Sequence, residues 1–171
     1  MFMSQVIDNF AADCRAHLKD GPSDAALDKV VEGLKKVLVS KEVIDTYFPP
    51  ENTTERKVIY EDSEMGFCIL AHVNTGAKSS PPHDHGPAWA IYGQVEGETE
   101  MTEYARAEEP KDGLPGKAKP VKTYMMTPGA AVHYNVGKLH APERAAATRL
   151  IRMEGQNMDK VTRDAFVKVL D

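Results

Sequence analysis

Cysteine is scarce: Cys14 and Cys68 are the only two in 171 residues. Two thiols build no disulfide framework and fit a reducing compartment, so a cytoplasmic protein is expected. Runs of positive charge are missing as well. The longest is Lys35-Lys36, and the formal net charge is −5. A chain without a basic stripe lacks the electrostatic footprint of a nucleic-acid binder, and no nucleic-acid partner is expected. Long hydrophobic runs are absent; the most apolar window, Met65 to Ala77, is too short to span a bilayer and carries His72 and Asn74. The opening MFMSQVIDNF has no basic start and reaches Asp8 early, which predicts neither a leader nor a membrane partner. Internal repeats and low-complexity tracts are also missing.

What is present is an ordinary globular mixture, 42% apolar and 27% charged. The length predicts one domain over 1–171, with enough chain to bury a core unaided. Residues 1–48 read as a helical cap. Val6, Ile7, Phe10, Ala11, Cys14 and Leu18 recur at helical spacing until the breaker Gly21-Pro22. Ser23 then serves as an N-cap for a stripe of Leu27, Val30, Val31, Leu34, Val37 and Leu38, and a short third turn ends at Pro49-Pro50.

From Glu55 the period becomes two. Candidate strands cover 56–61, 66–74, 88–95, 98–106, 121–126, 130–136 and 148–153, with 107–120 as a long exposed loop. Seven short strands within 55–153 predict a mainly β body, closed or sandwiched. Apolar residues from Met158 to Leu170 predict a C-terminal helix over 157–170.

Six histidines sit unevenly along this plan: His17, His72, His83, His85, His133 and His140. In an extended chain His83 and His85 share a face while Asp84 points away. Two such imidazoles can be neighbouring ligands of one divalent metal, and His140, after the turn at Gly137, is the candidate third. Imidazole suits Fe, Zn, Cu and Ni, and an all-nitrogen face with open positions suits catalysis. Arg56, His133, Trp89, Tyr92 and Arg152 are candidates for contact with a substrate or for support of the ligands. Arg106 and Arg149 are weaker candidates for an anion, and Glu98 is the hairpin carboxylate that could approach a metal. His72 reads as a packed histidine and His17 as a bystander on a helix.

The spacing of Gly76, His83, His85 and Gly97 resembles the first motif of the cupins, and Gly137 with His140 resembles the second. The acidic position of that first motif falls on Trp89 or Ala90, so the ligand set resembles three histidines without a carboxylate. That pattern is similar to the cysteine dioxygenase branch, the thiol dioxygenases, which also place helices before the barrel and read His-Asp-His. Tyr134, Gly137, Leu139 and His140 resemble that branch's second motif at shorter spacing. The chain departs from it at Ala90, where a cross-linked cysteine stands, and on the strand 149–153, which has no tyrosine.

The resemblance implies a cupin-type jelly-roll barrel and a non-haem Fe(II) dioxygenase. Its substrate would be a small chelating thiol, diketone or hydroxyketone, and its co-substrate O2. Zinc, manganese, nickel and copper are the alternative metals. A non-redox isomerase or lyase, or a metal-containing binding protein for a small ligand, are the alternative functions. Self-association into a homo-oligomer is compatible with the same features.

Overall fold

The computed structural model describes residues 4–170; residues 1–3, at the start of the stretch considered above for a leader, and Asp171 lie outside the description. Three helices open the chain: α1 (Gln5–Leu18), α2 (Asp24–Leu38) and α3 (Lys41–Tyr47). Each starts at a serine whose hydroxyl accepts a backbone N–H of the first turn: Ser4, Ser23 and Ser40. Such caps satisfy amides that a helix end leaves without partners.

Ten strands follow: β1 (Arg56–Glu61), β2 (Cys68–Asn74), β3 (Lys78–Ser79), β4 (Ala90–Glu96), β5 (Thr99–Glu108), β6 (Gly116–Met126), β7 (Ala131–Tyr134), β8 (Leu139–Arg144), β9 (Thr148–Glu154) and β10 (Phe166–Lys168). They form two five-stranded sheets, ordered β1-β2-β9-β4-β7 and β10-β6-β5-β8-β3. From β2 onward successive strands pass from one sheet to the other, except at the β5–β6 hairpin. That is the strand order of a double-sheet jelly roll, the architecture class that includes cupins. The expected mainly β body with N-terminal helices is therefore what the chain forms.

The central strands of the first sheet, β2, β9 and β4, are buried on both faces. Ile69, Ala71, Val73, Trp89, Ile91, Ile151 and Met153 point outward and pack against α1 and α2 in one apolar cluster. Gly93 lets α2 come close, since a Cβ there would lie 2.7 Å from Leu38 Cδ2 and 3.1 Å from Leu34 Cδ2. At the rim, Arg15 on α1 reaches buried Asp62 at 2.7 Å, and the Tyr60 hydroxyl donates to the same carboxylate at 2.7 Å. Burial pushes the Asp62 carboxyl up, but the Met65 amide, Tyr60 and Arg15 outweigh it and hold it below the usual range.

Two expectations need correction. Half of the stretch 107–120 is strand, because β5 and β6 form a long hairpin that leaves 109–115 as its tip. The expected helix over 157–170 does not form either. Residues 157–165 run irregularly along the barrel, and β10 pairs in parallel with β6, Phe166 opposite Gly116. The apolar spacing there is helical, yet only Phe166 becomes buried, against Ala118 and Leu139. Val161, Thr162, Val167 and Val169 are β-branched, and the open edge of β6 offers hydrogen bonds that an unpacked helix face cannot match.

Candidate metal centre

His83 lies in the irregular run before β4 and His140 on β8, where the two backbones pair: the His83 N–H donates to the His140 carbonyl at 3.0 Å and the reverse bond is 2.9 Å. His85 follows two residues on, its ring directed to the same point. From His83, His85 and His140, one ring nitrogen each lies within 4.8 Å of the others, a three-histidine group that could hold a metal ion. Asp84 points away, as the spacing predicted, and accepts a hydrogen bond from Arg106 Nη2 at 2.5 Å. Arg106 Nε also donates to the Gly137 carbonyl at 3.0 Å. One exposed guanidinium thus ties the loop that carries His83 and His85 to the loop that leads into His140 on β8.

The hydrogen bonds of the three rings decide their protonation. Nδ1 of His83 faces the Pro81 carbonyl at 2.9 Å, and Nδ1 of His140 faces the Lys138 carbonyl at 3.0 Å. Nδ1 of His85 faces Glu154 Oε2 at 3.3 Å. Carbonyls and carboxylates only accept, so each Nδ1 carries the proton and each Nε2 presents a lone pair inward. Burial keeps the rings neutral: it brings His83 down to about 4 and holds His85 and His140 below the ordinary value. For Glu154 burial acts upward, but the His85 N–H and the Arg152 charge hold its carboxyl below the ordinary range.

Those lone pairs meet without enough protons. Nε2 of His85 and Nε2 of His140 are 3.2 Å apart, and the Tyr92 hydroxyl lies 3.3, 3.1 and 3.2 Å from Nε2 of His83, His85 and His140. One hydroxyl proton serves one nitrogen. The remaining lone pairs converge as metal donors do, and 3.2 Å is a natural separation for two imidazoles sharing an ion at about 2.0–2.1 Å. The donor set therefore fits a divalent metal.

Beside the group opens a cavity of about 320 Å³, lined by four arginines (Arg56, Arg144, Arg152 and Arg163) and Lys78 against one carboxylate, Glu55. Arg144 is 7% exposed and its Nε donates to Thr99 Oγ1 at 3.1 Å. Among the described residues no carboxylate comes within ion-pair distance of it. Arg152 Nε lies 3.3 Å from Glu154 Oε1, at an angle that is an ion pair and not a hydrogen bond. Arg56 pairs with Asp159 of the C-terminal segment at 2.6 Å, and Arg163 donates to the Asp84 carbonyl at 3.1 Å, so that segment borders the cavity.

Of the candidates from the sequence, Arg56, Tyr92 and Arg152 line this cavity with His83. His133 and Trp89 do not. His133 Nε2 bonds Asp28 on α2 at 2.8 Å, and Trp89 is buried in the cluster under the helices. Both sit on the outward face of the first sheet, as their pairing shows: His133 is opposite Ile91. Arg149 caps the carbonyls of Phe48 and Pro49, and Glu98 is exposed on the β4–β5 turn. His72, expected to be packed or satisfied, instead lines the cavity with a buried Nε2 that has no partner among the described residues. Burial and the Arg152 and Arg56 charges bring it down to about 2.

Arg144 and Glu154 escaped the sequence reading. The signal was there: Arg144 lies four residues after His140 and Glu154 two after Arg152, each on the same face of its strand.

No protein-family model matches the chain, and no curated protein matches it. Solved structures do. A cupin superfamily protein from Desulfitobacterium hafniense is 12% identical over 60% of this chain and 76% of its own, with a TM-score of 0.42. KdgF from a Halomonas species is 15% identical over 63% and 82%, with a TM-score of 0.47. A cupin-2 domain containing protein from Shewanella frigidimarina is 13% identical over 69% and 95%, with a TM-score of 0.45. The structures similar to this chain thus include cupin superfamily proteins.

Proposed function

We propose that the protein is a non-haem Fe(II)-dependent dioxygenase of the cysteine dioxygenase-like cupin type, acting with O2 on a small, anionic, chelating substrate. The observation that carries this reading is the meeting of three unprotonated Nε2 atoms with a cavity wall whose buried Arg144 lacks a counter-charge among the described residues. A buried cation without a partner is costly, and an anionic substrate offsets it. The three imidazoles bring no negative charge, so a chelating anion also balances the metal. When bound, the ion supplies open coordination positions for the substrate and the redox chemistry by which dioxygen is used.

The protein's own groups do the rest. Arg144, Arg152 and Arg56 hold and orient the anion. His72, neutral and with a free Nε2, hydrogen-bonds a polar group of the substrate. Glu154 fixes the His85 tautomer, and Arg106 fixes the two loops. Thiols, diketones and hydroxyketones bearing a carboxylate are the substrates to try.

The test is oxygen consumption by iron-loaded protein against such a panel. Uptake should match substrate loss, and Arg144→Gln should raise KM roughly tenfold or more for carboxylate-bearing compounds while sparing neutral analogues. No uptake with any compound, in fully iron-loaded protein, overturns the dioxygenase. Stoichiometric zinc without iron in protein purified without added metal would turn the same site into that of an isomerase or lyase.

A further inference from the structure

The phenolic oxygen of Tyr92 faces more histidine nitrogens than its one proton can serve: it lies 3.3, 3.1 and 3.2 Å from three Nε2 atoms that are all acceptors. We propose that Tyr92 is a fourth protein donor to the metal of the His83–His85–His140 group, supplying as a phenolate the negative charge that the histidines lack. The proposal rests on the metal-binding reading above.

Three further observations carry it. On β4, Ala90 and Tyr92 point into the barrel while Trp89 and Ile91 point out to the helices. Of these two inward residues Ala90 offers only a methyl group and no ligand atom. Tyr92, two residues on and on the same face, has the length to bring an oxygen to the histidine nitrogens. Secondly, the ring is immobile: Tyr92 is 2% exposed and packs edge-on against the rings of His85, His140 and Tyr134. An oxygen so held is already placed to bind, with little entropy left to lose. Thirdly, Arg152 Nη1 donates to the Tyr92 oxygen at 3.4 Å, and its guanidinium lies 5.4 Å from the ring centre. That cation complements the charge of a bound phenolate.

The balance is simple. On metal binding the Tyr92 O–H bond breaks, its proton passes to solvent and its oxygen bonds the ion; the imidazoles stay neutral and nothing is oxidised or reduced.

Metal-stripped protein is loaded with Fe(III) and read by visible absorption, resonance Raman and elemental analysis. Wild type should bind one iron per chain and show a phenolate-to-iron charge-transfer band that enhances tyrosine ring modes. Tyr92→Phe, checked for folding by circular dichroism, should still bind iron but lose the band, with affinity roughly tenfold weaker or more. Tyr134→Phe and Tyr124→Phe should keep the band; if Tyr92→Phe does not fold, they carry the assignment by elimination, and loss of the band in either overturns it. Iron bound without the band, or with a band that survives Tyr92→Phe, overturns the tyrosine ligand and leaves the three-histidine site standing. No iron bound by wild type overturns both.

Discussion

The two faces of the sheet β1-β2-β9-β4-β7 differ in what they bury. Outward, Ile69, Ala71, Val73, Ile91, Ile151 and Met153 meet α1 and α2 in one apolar cluster. Inward, the same strands present His72, Tyr92, Arg152 and Glu154, beside a small apolar cluster of Ala90, Tyr92, Met101, Met126 and Tyr134. Neighbouring residues on one strand thus serve opposite ends. The outer face supplies hydrophobic stabilisation. The inner face gathers neutral bases and the ion-paired Arg152, and β8 of the other sheet adds Arg144, which has no carboxylate partner among the described residues; their burial opposes folding unless a metal and an anion arrive. The helices let the barrel keep a polar interior, because the sheet's stability is anchored on its other side.

Substitutions on the two faces should separate binding from stability. The largest effect is expected from His140→Ala. Divalent metal binding, followed by calorimetry, should weaken more than roughly a hundredfold, while the metal-free protein keeps or gains stability by losing a crowded lone pair. A large stability loss without metal would mean that the inner face is structural after all. Leu34→Ala, behind the outer face, should cost about 2–5 kcal/mol in urea unfolding and leave metal affinity unchanged. Next comes Glu154→Gln: it removes the charge that orients His85, and metal affinity should fall about 10–100-fold with the fold intact.

The smallest effect concerns pH. His72 sits near 2 in the folded protein against an ordinary 6.5, so its contribution is fully present above pH 6.5 and is lost as pH falls below it. Between pH 7 and 5 the metal-free wild type should lose of the order of 1–2 kcal/mol more than His72→Gln, by chemical denaturation at each pH. Equal losses would mean that His72 takes up its proton in the folded state.

The contrast also explains what the sequence made legible. The helices were readable because their apolar stripes face one partner, and Ser23 marks the start of α2. His83 and His85 were readable from spacing, and His140 from the glycine turn before it. Inside and outside were not. A sheet buried on both faces loses the polar–apolar alternation that reveals orientation, so Trp89 and His133 looked as inward as Tyr92 and Arg152. Arg144 and Glu154 did not stand out, since burial of a charge depends on strands distant in sequence. The tail misled because its spacing was helical while its partner, the β6 edge, lies some 50 residues earlier, as Phe166 opposite Gly116 shows.

The central claim is that the inner face is built around one metal ion. Equilibrium dialysis of metal-stripped protein against Fe(II) under anaerobic conditions, followed by elemental analysis, tests it most directly. One ion per chain in the wild type, and none when His83 and His85 are both replaced by alanine, is the predicted result. A wild type that retains no ion, or a double variant that retains as much as the wild type, would contradict it.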